Sequence, residues 1–330
     1  MRLVAAPDKL RGTATAADAA AAIAGAAFDA FWDCDEVPVA DGGEGTLDVL
    51  GGANRETVVT GPLGDQVRAG WRYGRTAVIE MARASGLTLA GGPEGNDPIA
   101  ASTTGTGELI TAAVDAGCKR IIVGVGGSAT TDGGLGALRA LEPLPRLRGI
   151  ELVVACDVRA TFVEAATLFA EQKGATPSQV ELLRRRLERL AQVYRQEYGV
   201  DVLDVPGSGA AGGLAGGLLC AGARLVSGFD LVADELDLGE TIEGADLVVT
   251  AEGFLDEQSF DGKVVGGVHD LAAADQVPVL AVVGEVVEGV RLPDGLTVIS
   301  LVERFGEERA FGETLRCIRE AVATHLESLS

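Results

Sequence analysis

The sequence has few of the residues on which most metal and acid–base sites depend. Only two of its 330 residues are histidines, His269 and His325, and its five scattered cysteines form no C-x-x-C pair. This pattern indicates neither a zinc site nor a disulfide framework, and we interpret the cysteines as small buried hydrophobic residues. If the chain is an enzyme, carboxylate, lysine and arginine side chains must carry most of its chemistry.

Long apolar runs and positive charge are also scarce. No run approaches the roughly 18 apolar residues of a membrane span, and the N-terminal segment lacks the basic start and apolar core of a leader. The formal net charge of −22 repels phosphate backbones and anionic lipids. We therefore expect no nucleic-acid or membrane partner, a cytoplasmic location, and a local basic pocket wherever an anionic substrate binds.

Aromatic residues make up only 4 % of a chain that is 47 % hydrophobic, so the core must consist mainly of Ala, Val, Leu and Ile. Short apolar runs recur, most of them followed by Gly, Asp or Glu, and Thr15 and Asp18 have capping-box spacing at the start of an alanine-rich helix. This alternation predicts parallel sheets whose ligands bind at the carboxyl ends of the strands. The predicted strands are 2–6, 37–40, 77–80, 121–125, 152–155, 247–250, 279–283 and 298–301.

Four glycine-rich loops interrupt this pattern. They are ADGGEGT at 40–46, TTGTGEL at 103–109, GVGGSATTDGGLG at 124–136 and PGSGAAGGLAGG at 206–217. Such loops let backbone N–H groups converge on an anion, and four of them favour a ligand with several anionic groups, such as a nucleoside triphosphate. A Walker loop is absent. Two partial dinucleotide fingerprints lack the required strand and helix context, which makes a dehydrogenase the weaker alternative.

Lysine is rare among the 27 basic residues, and only four occur. Lys9, Lys173 and Lys263 lie beside glycines or carboxylates in predicted loops, whereas Lys119 has the context of a surface residue. A lysine ammonium acts as a point charge against phosphate or carboxylate. Together with carboxylates that follow the predicted strands, these lysines supply the parts of metal-assisted phosphoryl transfer.

In their order along the chain, the motifs resemble those of the type-1 glycerate kinase family. The shared elements run from APDKLRGT through ADGGEGT, EMARASGL, STTGTGELI, GVGGSATTDGGLG, EQKGA and PGSGAAGG to TAEGFLDEQS and GKVVGGV. The resemblance implies transfer of the γ-phosphoryl group of ATP, with Mg²⁺, to a hydroxyl of D-glycerate, giving 2-phosphoglycerate. It also implies an α/β fold of two domains with an active-site cleft between them, a Rossmann-like domain at 1–43 and 225–330 and an inserted flavodoxin-like domain at 44–224. We expect a monomer or a homodimer.

The matching motifs also indicate site residues. Asp41 is expected either to accept the hydroxyl proton or to hold Mg²⁺, and Lys9 and Arg11 to bind the glycerate carboxylate or the transferred group. The other expected catalytic residues are Asp132 and Lys263, and the expected metal ligands are Asp157 and Glu252. The further residues expected to bind substrate or nucleotide are Asp8, Gly42, Gly43, Glu44, Gly45, Thr106, Gly126, Gly127, Ser128, Thr130, Lys173, Gly207, Gly209, Glu252 and Asp256.

A few positions depart from the family pattern. Arg11, Ala251 and Phe254 stand where the family usually has lysine, glycine and a basic residue, and the usual Asn-Pro-Leu segment does not follow ACDV at 155–158. These departures keep two alternatives open. One is a kinase for another small hydroxy acid, and the other is a nucleotide-binding relative without kinase activity.

Overall fold

The computed structural model describes residues 1–10, 12–260 and 262–329. The strands within these ranges are β1 (Arg2–Ala5), β2 (Asp33–Glu36), β3 (Arg55–Thr60), β4 (Gln66–Trp71), β5 (Thr76–Glu80), β6 (Arg120–Gly124), β7 (Glu151–Ala155), β8 (Arg224–Val226), β9 (Leu247–Leu255), β10 (Val279–Val286) and β11 (Leu296–Ser300). The helices are α1 (Ala16–Asp29), α2 (Thr46–Val49), α3 (Ala82–Ser85), α4 (Gly92–Gly95), α5 (Thr104–Asp115), α6 (Leu135–Ala140), α7 (Glu164–Phe169), α8 (Pro177–Glu197), α9 (Ala210–Cys220), α10 (Gly228–Glu235), α11 (Leu238–Ile242), α12 (Val264–Ala274), α13 (Leu301–Phe305), α14 (Glu307–Gly312) and α15 (Thr314–Leu329).

The chain divides into two compact units. Unit 1 combines Met1–Asp41 with Phe229–Ser330, and unit 2 is Gly42–Gly228. Both contain parallel sheets with helices, and the predicted α/β fold class is confirmed.

Unit 1 is built on a five-stranded parallel sheet in the order β11-β10-β9-β1-β2. The order changes direction between β1 and β9, because β2 lies on one side of β1 while β9, β10 and β11 follow one another on the other side. Ligands of such open sheets bind at this switch point, outside the carboxyl ends of the strands. Renumbered within the unit, the order is 2-1-3-4-5, which is the flavodoxin-like order. The sequence analysis predicts a Rossmann-like unit here, and both strand orders belong to the open doubly wound α/β sheets.

Small residues let the helices of unit 1 pack closely on this sheet. Helix α1 buries a stripe that includes Ala19, Ile23 and Ala26 and packs against α15. The predicted cap is confirmed, since the Thr15 hydroxyl accepts a hydrogen bond from the Asp18 N–H at 3.1 Å. A helix start fixed in this way holds the loop after β1, which carries the first predicted site residues.

Unit 2 contains a four-stranded parallel sheet, β5-β6-β7-β8, and a separate antiparallel pair, β3 and β4. Its core consists mostly of Ala, Val, Leu and Ile, with Trp71 as its largest buried side chain. Helix α8 begins with a full capping box between Thr176 and Gln179. The predicted strands fall within or overlap observed ones except 37–40, where the prediction is wrong because the edge strand β2 lies earlier, at exposed polar residues.

Candidate functional site

Charged side chains gather at the switch point of unit 1. The backbone after β1 stays bound to β9, as the Asp8 N–H donates to the Ala251 carbonyl at 2.9 Å. Lys9 follows, with its Nζ 3.8 Å from Asp8 Oδ1 and 4.0 Å from Asp41 Oδ1. Asp8 is buried and also accepts the Lys9 N–H at 2.7 Å. One lysine therefore lies between two carboxylates at the carboxyl edge of the sheet.

Glu252, on β9, extends this group. Burial raises the pKa of its carboxyl to about 7, the Lys263 ammonium opposes that shift, and the carboxylates of Asp8 and Asp41 add to it. Within the described part of the chain, the buried Oε2 of Glu252 has no hydrogen-bond partner. We name Asp8, Lys9, Asp41, Glu252 and Lys263 the switch-point cluster. It holds three carboxylates and two ammonium groups.

Helix α12 starts next to this cluster. Lys263 occupies its N-cap position in extended backbone, and in the described ranges its side chain makes no capping hydrogen bond. Gly262 before it has φ +84°, and no described atom outside its chain neighbours lies within 4 Å of where a Cβ would stand. Helix N-termini with free N–H groups and a nearby cation favour anions. The segment GKVV thus has a geometry that suits a phosphate.

Two other predicted residues of unit 1 stand apart from this account. Asp256 Oδ1 accepts the Ser259 N–H at 3.0 Å, and the Ser259 hydroxyl accepts the Asp256 N–H at 3.2 Å. This reciprocal pairing fixes the 3₁₀ turn Glu257–Phe260, so Asp256 has a structural role. Arg11 lies outside the described residues.

In unit 2, the glycines of ADGGEGT pack backbone to backbone against the loop after β6. A Cβ at Gly126 would lie 2.6 Å from Gly43 Cα, and one at Gly124 would lie 2.7 Å from the Gly42 carbonyl oxygen. Gly42 itself has φ +82°, and a Cβ there would meet Ala155 Cβ at 2.9 Å. Close packing therefore requires these glycines even without a ligand.

A carboxylate that the sequence did not single out, Glu80, holds this loop from below. Its Oε1 accepts the N–H groups of Gly45 and Leu47 at 2.8 and 2.9 Å, and its Oε2 accepts Arg83 Nε at 3.0 Å. Glu80 thus binds the first N–H groups of α2 and fixes the backbone that carries Glu44. Its position at the end of β5, in the motif EMARASGL, was the feature of the sequence that could have identified it as a site residue.

Asp132 also has a structural role in the described geometry. Its Oδ2 accepts the N–H and the hydroxyl of Thr103 at 2.9 and 2.8 Å and the Gly136 N–H at 3.2 Å, and its Oδ1 accepts the Gly134 N–H at 3.1 Å. Four donors from its own unit bind the two oxygens, so the side chain joins the start of α5 to the start of α6.

Lys173 is almost completely buried in unit 2. Its Nζ donates to Ser128 Oγ at 2.8 Å and to the Thr130 carbonyl at 2.7 Å, and only 4 % of the residue is exposed. Burial lowers the pKa of this ammonium to about 7, with Asp132 opposing the shift. The structure thus brings together Lys173, Ser128 and Thr130, three of the residues predicted to bind ligand.

The remaining predicted residues of unit 2 are spread over helix α5 and several loops. The buried Thr106 hydroxyl pairs with Ser85 at 2.9 Å, and Asp157 Oδ1 accepts the Gly228 N–H at 2.6 Å. A Cβ at Gly209 would lie 2.3 Å from the Thr161 carbonyl oxygen, and Gly207 has φ +85°. These contacts describe structural positions, and their roles in binding stay predictions.

Two further features concern the whole described chain. Among described residues no group of three or more His, Cys, Asp or Glu side chains has the arrangement of a metal site, and every helix is too short or too polar to cross a bilayer. Unit 1 also has an open cleft of about 400 Å³, which none of the predicted site residues lines. Its lining residues are Glu257, Phe260, Gly266, His269, Asp270, Arg291, Leu292 and Pro293.

Comparison with known proteins places this geometry in a family. The sequence model of the glycerate kinase family matches residues 3–144 and 142–329. The chain belongs to the glycerate kinase family. Glycerate 2-kinase of Escherichia coli K12 is 39 % identical over 331 residues, covering 88 % of this chain and 87 % of its own, and glycerate kinase of Bacillus subtilis 168 is 40 % identical over 327 residues, covering 87 % and 85 %.

A solved structure from Salmonella typhimurium LT2, described as a glycerate kinase 2, agrees in fold. It is 34 % identical, with a TM-score of 0.84, and the match covers 100 % of this chain and 98 % of that one. The predicted family resemblance and the prediction of an enzyme of this kinase family are confirmed.

Proposed function

We propose that this family member is a glycerate kinase, which transfers the γ-phosphoryl group of Mg-ATP to a hydroxyl of D-glycerate and yields 2-phosphoglycerate and ADP. Family membership supports the reaction class. The observation that carries the site is the switch-point cluster, which sets carboxylates and ammonium groups side by side at the carboxyl edge of an open parallel sheet.

The described residues fit the two cofactors that this reaction needs. Mg²⁺ takes oxygen ligands and is commonly held by one or two carboxylates together with phosphate oxygens. The buried, unpartnered Oε2 of Glu252 suits such a cation, and the start of α12 beside Lys263 suits a phosphate. When bound, Mg-ATP supplies the phosphoryl group and the metal neutralises part of its charge. We propose that Glu252 holds the metal and Lys263 the phosphates.

The chain's own groups then have separate tasks. Asp41 is more exposed than Asp8, with 30 % against 9 % of the side chain accessible. We therefore assign to Asp41 the proton of the attacking hydroxyl, which moves to its carboxylate as the glycerate oxygen bonds to phosphorus and the bond to ADP breaks. Lys9 binds an anionic oxygen of the reacting groups, and Asp8 holds Lys9 in place.

An ADP-release assay with Mg-ATP tests the proposed reaction. The acceptors are D-glycerate, L-glycerate, tartronate and no acceptor, with phosphorus NMR to identify the product. We expect release that depends on D-glycerate and forms 2-phosphoglycerate. If ADP is released only with another acceptor, that acceptor and not D-glycerate is the substrate. If a folded protein releases no ADP with any of these acceptors, the result contradicts kinase activity. We also propose a cytoplasmic monomer or homodimer, for which sedimentation gives the assembly state.

A further inference from the structure

The buried ammonium of Lys173 lacks the partner that usually accompanies such a group. Within the described part of the chain, no carboxylate oxygen lies within 4 Å of its Nζ, whose two acceptors, the Ser128 hydroxyl and the Thr130 carbonyl, are both neutral. The nearby carboxylate of Asp132 is already bound by backbone and hydroxyl donors. Burying an ammonium on neutral acceptors is unfavourable. Packing alone is better served by an apolar side chain, so a buried lysine at this position needs another reason.

The contact with Lys173 determines what the Ser128 hydroxyl can do. A serine hydroxyl has one proton and two lone pairs. While Ser128 Oγ accepts an N–H from Lys173, its own proton points away from that nitrogen. The Ser128 hydroxyl therefore keeps its one proton for a different acceptor.

The backbone around Ser128 is held from both sides. The Ala129 N–H donates to the Ser85 carbonyl at 3.0 Å, and Ser128 forms a bridge with Gly86. Asn96 Nδ2 donates to the carbonyls of Ala129 and Lys173 at 3.0 and 2.8 Å. The loop that carries Ser128 and the segment that carries Lys173 are thus one hydrogen-bonded assembly. The Ser128 side chain and the Lys173 ammonium are thus held side by side before any ligand arrives.

We propose that Lys173 is a positioning residue that directs the Ser128 hydroxyl onto an anionic oxygen of a bound ligand, either the carboxylate of glycerate or a phosphate of the nucleotide. The inference rests on the proposed function, because it names a donor for that same reaction. Lys173 does not touch the ligand. It acts through Ser128, and in its protonated form it adds positive potential near the bound anion.

Four single variants and the double variant of Lys173→Met with Ser128→Ala test this role. Lys173→Met keeps most of the length of the side chain and removes the amine, and Ser128→Ala removes the hydroxyl donor. Ser128→Thr keeps a hydroxyl, and Lys119→Met removes an exposed lysine of the same unit as the matched control. We expect Lys173→Met and Ser128→Ala each to raise the KM of the same single ligand by about 10- to 100-fold, with the double variant no worse than either one. Ser128→Thr should keep a KM close to the wild-type value, and Lys119→Met should leave both KM values unchanged.

The KM that rises identifies the ligand, since a carboxylate contact raises the KM of glycerate and a phosphate contact raises that of ATP. A silent Ser128→Ala, or a Lys173→Met that loses melting temperature while both KM values stay normal, overturns the proposal. If wild-type protein does not turn over, the proposed function fails by itself. The positioning role is then measured by the thermal shift that ATP or glycerate gives in each variant, and a wild-type chain that responds to neither overturns it as well.

Discussion

The buried ammonium of Lys173 makes the stability of unit 2 depend on pH. Burial lowers its pKa to about 7, whereas in the unfolded chain a lysine titrates near ~10.4. Between these values the unfolded state binds more protons than the folded state, so the free energy of unfolding rises with pH. Lys173→Met has no such proton. We therefore expect the free energy of unfolding of the wild type to rise relative to that of the variant by up to about 1.4 kcal/mol per pH unit between about pH 7 and 9.5.

Urea unfolding of the two proteins at several pH values measures this difference. The exposed-lysine variant Lys119→Met serves as the control and should show a constant difference from wild type over the same range. A difference between wild type and Lys173→Met that stays flat, or that grows in favour of the variant as pH rises, would show that the Lys173 amine titrates normally.

The sequence singles out candidate site residues more readily than it predicts the contacts around them. The scarcity of lysine singles out Lys9, Lys173 and Lys263, and all three lie in charged or buried settings. The sequence could not show that both carboxylate oxygens of Asp132 accept hydrogen bonds from backbone or hydroxyl donors. Hydrogen bonds between residues far apart in the chain leave no local pattern, and the same reason hides the role of Glu80.

At the scale of elements, the glycines of α9 are required by close approach. Ala211, Gly212 and Gly213 all have left-handed backbone, and a Cβ at Gly212 would lie 1.9 Å from the Thr130 carbonyl oxygen. Gly222 also has positive φ, at +84°, but among described atoms nothing lies within 4 Å of its Cβ position. Both Gly212→Ala and Gly222→Ala therefore place an alanine in left-handed backbone, but only Gly212→Ala also brings a Cβ into contact with the Thr130 carbonyl oxygen.

We expect Gly222→Ala to lower the free energy of unfolding by about 1 to 2 kcal/mol, the usual cost of a left-handed non-glycine residue. Gly212→Ala adds displacement of the loop that Lys173 binds, so it should cost several kcal/mol or prevent folding, and any folded protein should show impaired ligand binding. Urea unfolding and soluble yield measure both. Equal losses in the two variants would show that the loop yields easily and that close packing is not why Gly212 is needed.

Elements with strongly apolar strands were predictable, whereas edge elements were not. The buried strands β1, β6, β7 and β10 coincide with apolar runs. Strand β2 has the sequence DCDE and is mostly exposed. The prediction placed the strand at the apolar residues 37–40 instead, because it relied on apolar runs. An edge strand borders solvent and commonly carries charged side chains, which discourage pairing with another strand.

At the scale of the whole molecule, the net charge of −22 acts against compactness. Excess like charge destabilises a folded chain by self-repulsion, and salt screens that repulsion. We expect the melting temperature to rise by several degrees between about 20 and 500 mM NaCl. KCl should give the same rise, which separates screening from specific sodium binding. A melting temperature that falls or does not change would mean that local ion pairs outweigh the net charge.

The α/β class followed from the repeated strand, loop and helix pattern, and the same pattern predicts that ligands bind at the strand ends. Strand order did not follow from it, because the sequence does not state which strands become neighbours. The order β11-β10-β9-β1-β2 places the ends of β1 and β9 side by side, and that adjacency turns APDK and TAEG, far apart in the chain, into one cluster. The domain boundaries of the sequence analysis stay a prediction alongside the observed units.

The central claim is that the switch-point cluster performs the chemistry, and the turnover of Asp41→Asn tests it most directly. The measurement is kcat at saturating Mg-ATP and D-glycerate, beside wild type and Asp234→Asn, which alters an exposed aspartate of the same unit. The account predicts that Asp41→Asn lowers kcat by about 10²- to 10⁴-fold with an unchanged melting temperature, while Asp234→Asn keeps normal turnover. Near wild-type kcat in a folded Asp41→Asn protein would contradict it.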